Sequence, residues 1–216
     1  MRYLLSLALM IGGGRAFAGE TVPHGWVKAG SFPAGYAVSV QPSGMYKNHS
    51  GIVLKSTETL PLSVSDETED SHMNRLDMTR RSKKVESVPF ATLMQDLLAQ
   101  NYRGRRIRLS GYLRVYDTPG KATLWMRIDG PGGQVLGFDN LMEKQAISGN
   151  SAWKREAIVM DVPPEAGEIS FGILLSGRGL VKASDLKFQI VGKNVPVSVT
   201  TKNVSTPKSP VNLDFK

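Results

Sequence analysis

The strongest constraint on the fold is a strict alternation of apolar and polar residues over positions 106–116. The apolar members are Ile107, Leu109, Leu113 and Val115, and the members between them are Arg106, Arg108, Tyr112, Arg114 and Tyr116. Successive side chains of a β-strand point to opposite faces of its sheet, so a period of two predicts a strand with one buried face and one solvated face.

Similar runs recur along the chain about every dozen residues, separated by Gly, Pro, Asn and Asp turns. They cover residues 36–40, 51–55, 122–128, 134–138, 155–162, 168–176 and 183–191. The segment 129–133, rich in Gly and Pro, predicts a hairpin. Segment 90–102 is ambiguous, because its leucines also suit a helix, and a strand is favoured at its start. The spacing predicts an all-β sandwich of two antiparallel sheets.

The first residues have the order of a secretory signal peptide. Arg2 precedes an apolar run over residues 4–11, and Ala16-Phe17-Ala18 provides a cleavage site. The run is about half of the roughly 20 residues that a membrane-spanning helix needs. We therefore expect residues 1–18 to be cleaved and the protein to be exported, either periplasmic or secreted. An uncleaved N-terminal anchor is the alternative.

The predicted β-sandwich domain covers residues 19–192. Residues 63–86 hold an acidic block and then a basic block with few apolar residues, which predicts an inserted mobile loop or, over 73–84, a short helix. Residues 193–216 are rich in Pro, Ser, Thr and Lys and predict a flexible C-terminal tail.

Few features of the sequence point to catalysis. The chain contains no cysteine, and the G-x-S-x-G, P-loop and H-E-x-x-H motifs are absent. Its three histidines, His24, His49 and His72, are scattered and form no closely spaced metal pair. We expect no enzyme, no cofactor and no bound metal. A hydrolase that uses carboxylates from distant positions is the least favoured alternative.

Several segments together resemble a known family. They are 25–31 (GWVKAGS), 102–112 (YRGRRIRLSGY), 124–130 (LWMRIDG), 161–163 (DVP) and 169–177 (ISFGILLSG). In this order they resemble an uncharacterised family of exported bacterial domains with a jelly roll like that of carbohydrate-binding modules, also called galactose-binding-like. The resemblance covers roughly residues 25–191. It implies a jelly-roll β-sandwich and a binding role, while activity needs separate evidence.

The outward-facing residues of two predicted strands form a candidate ligand-binding surface. It consists of Tyr112, Arg114, Tyr116, Trp125 and Arg127, which would make one stripe if segments 106–116 and 122–128 shared a sheet. Aromatic rings stack on sugar rings, and arginine binds hydroxyl pairs, carboxylates or phosphates. The alternative is an ordinary exposed sheet face, in which such residues only stabilise cross-strand pairs.

These observations lead to one expected function and two alternatives. We expect an exported, non-catalytic binding module that weakly recognises an extracellular or envelope glycan. The expected partner is a glycan or an anionic envelope polymer, and the net charge of +8 fits such a partner. The alternatives are a structural or protein-interaction domain of the cell envelope, and the hydrolase. No nucleic-acid partner is expected, nor a membrane span after cleavage, although Arg103, Arg105, Arg106 and Arg108 could in principle hold phosphates.

Overall fold

The computed structural model describes residues 20–61, 64–65 and 86–198. Over these ranges the regular elements are β-strands and three short 3-10 helices, Pro33–Gly35, Tyr46–Asn48 and Ala99–Asn101. The strands are β1 (Val27–Ala29), β2 (Tyr36–Gln41), β3 (Gly51–Ser56), β4 (Val64–Ser65), β5 (Glu86–Ser87), β6 (Phe90–Leu98), β7 (Arg106–Tyr116), β8 (Thr118–Asp129), β9 (Val135–Asp139), β10 (Ile147–Gly149), β11 (Lys154–Asp161), β12 (Glu168–Ser176) and β13 (Leu180–Val191).

The strands form two antiparallel sheets that pack face to face. Sheet A has the order β1-β6-β12-β8-β10, and β9 also pairs with β8. Sheet B has the order β11-β7-β13-β3-β2, and β4 and β5 form a separate two-stranded ribbon. The predicted all-β jelly-roll sandwich is therefore confirmed.

The core lies between the inward faces of the two sheets. Ile107, Leu109, Leu113 and Val115 of β7 are at most 1% exposed, as the alternation predicts, and Leu124 of β8 faces them from sheet A. Burying each such side chain stabilises the fold by roughly 1.5–3 kcal/mol. The alternation of β7 and β8 thus decides which side of each sheet faces inward.

The ambiguous segment 90–102 begins with a strand. β6 covers Phe90–Leu98, and the 3-10 helix Ala99–Asn101 follows directly. β6 is paired along its whole length with β12, which places it inside sheet A. Pairing with a neighbouring strand outweighs the helical spacing of its leucines, because the pairing satisfies every backbone group along that edge.

Several predictions concern residues outside the described ranges. They are the signal peptide over 1–18, most of the loop over 63–86 with its alternative helix, and the tail beyond residue 198. The first part of the predicted tail, residues 193–198, lies against β11. Here the backbone N–H of Ser198 donates to the carbonyl of Val159 at 2.9 Å, and Lys193 Nζ lies 2.7 Å from Asp161 Oδ1. Within the described ranges, no helix has the length and apolarity that crossing a bilayer requires.

Candidate ligand-binding site

The five residues expected to form one stripe are divided between the two sheets. Tyr112, Arg114 and Tyr116 lie on β7 in sheet B, whereas Trp125 and Arg127 lie on β8 in sheet A. β7 and β8 are consecutive in the chain but join opposite sheets. The turn between them is made at Asp117, which has a positive φ of 43°. The condition for one continuous stripe, a shared sheet, is therefore not met, and the two groups of residues face away from each other.

Trp125 is not an exposed platform, because its side chain is only 3% exposed. The indole Nε1 donates a hydrogen bond of 2.6 Å to Thr92 Oγ1 on β6. Gly172 of β12 lies between these strands, in register with both Trp125 and Met94. Because Gly172 has no side chain, the indole can lie against Met94 and Ala29. Trp125 therefore stabilises the outward side of sheet A.

Arg127 also has its partner within sheet A. Its Nε donates to the carboxylate of Asp129 at 2.9 Å, and both side chains are largely buried. Asp129 lies two residues further along the same strand face, so the pair is local. The positive charge of Arg127 is thus neutralised where a ligand would have to meet it.

The outward face of sheet B carries an aromatic cluster. The rings of Tyr112 and Tyr46 are stacked, with centroids 3.5 Å apart and an angle of 14° between their planes. Trp153 meets Tyr46 edge-on at 6.0 Å. Tyr46 belongs to the 3-10 helix Tyr46–Asn48, and no sequence pattern indicates that this helix packs against β7. Trp153 lies beside this cluster, just before β11.

Arg114 and Tyr116 form a second group, at the C-terminal end of β7. The guanidinium carbon of Arg114 is 4.6 Å from the ring centroid of Tyr116, and Lys182 Nζ is 5.2 Å from the same ring. Arg114 Nε also donates to the carbonyl of Ser151 at 3.1 Å. These contacts hold both β7 side chains against the sheet.

A groove of about 240 Å³ opens on the same face, centred on a break in the pairing of β13. It is lined by Arg108, Ser110, Gly111, Tyr112, Arg155, Asp185, Lys187 and Gln189. Its volume is below the roughly 300–1,000 Å³ of drug-sized sites, which fits a small ligand. Of the predicted site residues, Tyr112 alone contributes to the lining that surrounds this groove.

A β-bulge in β13 shapes the groove. The register with β7 shifts between Ser184 and Lys187, and Asp185 adopts a positive φ of 52°. Leu186 turns inward over Gly111, where a Cβ atom would come within 2.5 Å of the Leu186 side chain. Bulges commonly redirect side chains in this way. The glycine in the middle of β7 thus makes room for the bulge, and Asp185 points to the outward face.

Positive charge exceeds negative charge in the groove lining. Arg108 Nη2 donates to the neutral amide oxygen of Gln189 at 2.9 Å, and Arg108 Nε is buried without an acceptor in the described structure. Arg155 is exposed and has no side-chain partner in the described ranges. Lys187 Nζ lies 3.1 Å from the carboxylate of Asp185. The lining therefore contains three cations and one carboxylate, and that carboxylate is paired with Lys187.

Asp185 also separates the groove from a second depression of about 340 Å³. His49 Nδ1, on that side, lies 3.6 Å from Asp185 Oδ1. Among the described residues no three His, Asp or Glu side chains converge as a metal site would require. The residues that line the two depressions offer hydrogen bonding, charge and, at Tyr112, aromatic contact.

The other arginines of segment 102–112 have structural partners or lie outside the groove. Arg103 Nε donates to the carbonyl of Ala166 at 2.6 Å, and Arg106 Nη2 lies 2.7 Å from Asp161 Oδ2. Arg105 is exposed but does not line the groove. The outward alternation of β7 identifies Arg108 as a surface residue, but it gives no sign of Arg155 and Lys187 beside it.

The interior contains an acidic residue that sequence patterns did not single out. Glu156 of β11 is 3% exposed, and its Oε2 accepts the backbone N–H of Leu124 at 2.8 Å. That N–H lies on the edge of β8 between the stretches paired with β10 and β9. The carboxyl thus replaces a strand carbonyl and links the two sheets. Oε1 has no partner in the described part of the chain, and burial raises the pKa of Glu156 to about 7.

Comparison with known proteins places this β-sandwich in context. No protein-family model matches the chain. The chain is 34% identical over 177 residues to a Bacillus subtilis (strain 168) protein described as an uncharacterized HTH-type transcriptional regulator, YbfP. The match covers 82% of this chain and 60% of the relative, so the chain spans less than two thirds of that protein.

Solved structures with a similar fold include a phage domain and carbohydrate-binding modules. The enzymatically active domain of bacteriophage CBA120 tailspike protein 4 matches with a TM-score of 0.51 and 13% identity, over 80% of this chain and 20% of that chain. The C-terminal family 22 carbohydrate-binding module of Clostridium thermocellum Xyn10B matches with a TM-score of 0.49 and 10% identity, over 80% and 89%. At such low identity the likeness concerns the fold alone.

The relationship to YbfP corrects the function expected from the sequence. We expected an exported module that recognises an envelope glycan, with an envelope structural domain or a hydrolase as alternatives. A relative named a transcriptional regulator, similar over most of this chain, contradicts that function. The resemblance to a carbohydrate-binding jelly roll described the fold correctly, but it was wrong as a guide to function, because one β-sandwich fold serves many functions.

Proposed function

We propose that this chain is a ligand-recognition domain of a transcription-regulating protein, and that the groove of sheet B is its binding site. The similarity to YbfP supports the link to transcriptional regulation. The proposed role is binding without catalysis. Because the chain spans only 60% of that relative, the activity of a whole regulator is itself part of the proposal.

The secondary structure supports a role other than reading DNA with a helix. A helix-turn-helix needs two helices joined by a short turn. In the described ranges the helical elements are 3-10 helices of three residues each. The β-sandwich would therefore act beside a DNA-reading element and receive a signal.

One observation carries the assignment of the site: the groove lining contains three cations, Arg108, Arg155 and Lys187, and only Lys187 is paired with a carboxylate. Unneutralised cations in a concave surface concentrate solutes of complementary charge. Tyr112 adds an aromatic wall, which is held in place by its stacking on Tyr46. On the outward face of sheet A, the aromatic ring of Trp125 is covered and the cation Arg127 is paired with Asp129, so neither is available to a ligand.

Screening of the purified chain against neutral, cationic and anionic small molecules, by thermal shift and calorimetry, tests this function. We expect at least one compound to bind, and Arg155→Gln to weaken its binding about tenfold through loss of a charged hydrogen bond. Arg155 is exposed and has no side-chain partner in the described structure, so its replacement should leave the fold intact.

Arg105→Gln is the matched control, because Arg105 is also exposed but lies outside the groove lining. An absence of binders, or equal loss of binding in both variants, would refute the proposed site. A random-sequence DNA duplex at physiological salt is a second probe. Duplex binding that Arg155→Gln abolishes would assign the groove to nucleic acid instead.

A further inference from the structure

Arg108 is the fixed cation of the groove. It lies in the middle of β7, in register with Val159 on one side and Gln189 on the other. The hydrogen bond from Nη2 to Gln189 Oε1 orients the guanidinium without neutralising it, since the acceptor is an uncharged amide. Nε, closed to water, has no acceptor in the described structure. Nε is therefore too buried to donate to a ligand in the groove, but the guanidinium has no counter-charge, and the N–H groups of its Nη atoms suit an oxoanion.

Two further cations can reach the same space from neighbouring strands. Arg155 of β11 lies directly across from Tyr112, and Lys187 of β13 lies directly across from Ser110. Both cations are exposed, and Ser110 is 4% exposed beneath them. Their long side chains can fold over an anion that rests near Ser110, whose hydroxyl offers one more donor.

Tyr112 limits the shape of the remainder of the ligand. Its ring forms one end of the groove and cannot easily turn, because Tyr46 is stacked on its other face at 3.5 Å. A flat or ring-shaped body attached to the oxoanion would lie against this wall, where aromatic contact adds to the electrostatic attraction. The groove volume of about 240 Å³ leaves room for a small ring beside the oxoanion.

We propose that the groove binds a small molecule in which a carboxylate or phosphate group is attached to a ring, with the oxoanion held by Arg108, Arg155 and Lys187 and the ring against Tyr112. This inference rests on the proposed function and names the ligand class for the same site. Asp185 is the selectivity element, because its carboxylate competes with the ligand for Lys187 at 3.1 Å and repels ligands of higher negative charge.

Calorimetry with phenyl phosphate and benzoate tests the inference, with inorganic phosphate and benzyl alcohol as probes that each lack one half of the ligand. We expect phenyl phosphate or benzoate to bind more tightly than either partial probe, and the comparison of the two identifies the preferred oxoanion. Affinity should fall as salt is raised, because the contacts are partly exposed. Arg155→Gln should weaken binding about tenfold, and Arg105→Gln should leave it unchanged.

Asp185→Asn should change the binding affinity in the opposite direction to Arg155→Gln. Asparagine tolerates the positive φ that Asp185 adopts, so the bulge should persist. Removing the carboxylate should raise the affinity for phenyl phosphate by up to about fivefold. A merely structural role of Asp185 would lower the affinity or leave it unchanged.

The outcomes separate this inference from the proposed function. If neutral or cationic panel compounds bind in a manner that depends on Arg155, while phenyl phosphate and benzoate do not bind, the oxoanion inference is wrong and the binding site stands. If no compound binds in a manner that depends on Arg155, both are wrong. Unfolding curves of each variant confirm that a loss of binding is not a loss of fold.

Discussion

The outward faces of the two sheets contain similar residues that have different surroundings. On sheet A, Trp125 is covered and hydrogen-bonded to Thr92, and Arg127 is paired with Asp129. On sheet B, Tyr112 lines an open groove, and Arg155 has no side-chain partner in the described ranges. An aromatic residue beside an arginine therefore does not by itself mark a binding surface. The surface is marked by polar groups whose hydrogen bonds and charges the fold leaves unmatched.

The largest expected effect tests whether the face of sheet A is structural. Trp125→Ala should lower the free energy of unfolding by about 3–5 kcal/mol, because it removes a buried indole and its hydrogen bond to Thr92. Urea unfolding measures this loss. Trp125→Phe, which keeps a ring but not the donor, should lose much less. Arg155→Gln on the opposite face should change stability by less than about 0.5 kcal/mol. A similar loss from Trp125→Ala and Arg155→Gln would contradict the distinction between the faces.

The next effect concerns the residue that links the two sheets. Burial raises the pKa of Glu156 from 4.5 to about 7 in the folded chain. Between these values the folded state binds more protons than the unfolded state, so stability should fall as pH rises and level off above pH 7. The full loss should be roughly 3 kcal/mol.

Glu156→Gln should remove this pH dependence and be more stable than the wild type at pH 8.5, with the difference vanishing near pH 4.5. Urea unfolding across this pH range measures both chains. Glu143→Gln is the control, because Glu143 is exposed and its substitution should leave the slope unchanged. Parallel stability curves for wild type and Glu156→Gln would show that the buried carboxyl is not responsible.

The smallest effect concerns an ion pair outside the groove on sheet B. Arg106 and Lys193 hold the pKa of Asp161 down to about 2, with the hydrogen bond from Arg106 as the main cause. Because the folded pKa is below the ordinary 3.8, this stabilisation is present above about pH 4 and lost as pH falls towards 2. Asp161 is nearly half exposed, so solvent screening limits the effect to below about 1 kcal/mol.

Asp161→Asn should thus lower the unfolding midpoint slightly at pH 7 and leave ligand binding by the groove unchanged. A large loss of stability would show that exposed pairs on this face matter more than we expect.

Strand bounds were predicted well where the alternation of apolar and polar residues is long, and poorly where the strand is short or contains turn residues. The strands at 106–116 and 168–176 have the predicted bounds, although only the first run alternates regularly, because Leu174 interrupts the period in the second. β8 begins at Thr118 rather than at 122, since Pro119 and Gly120 look like a turn. β1 and β10 were missed because three residues are too few to show a period.

The candidate site was predicted less well. Alternation correctly placed Tyr112 and Arg114 on an outward face, yet it could not assign β7 and β8 to different sheets. It also could not reveal Asp185 and Lys187 in the groove, because the bulge between Ser184 and Lys187 interrupts the period of two. The signal peptide over residues 1–18 stays a prediction.

The sequence by itself determined which side of β7 and β8 faces the core, because alternation is a property of the local backbone. Only the tertiary structure decided which outward residues are covered and which remain open. Those outcomes depend on partners far away in the chain: Thr92 for Trp125, Tyr46 for Tyr112 and Leu124 for Glu156. Strand pairing brings these residues together, and the charges left unmatched by it lie around the groove of sheet B.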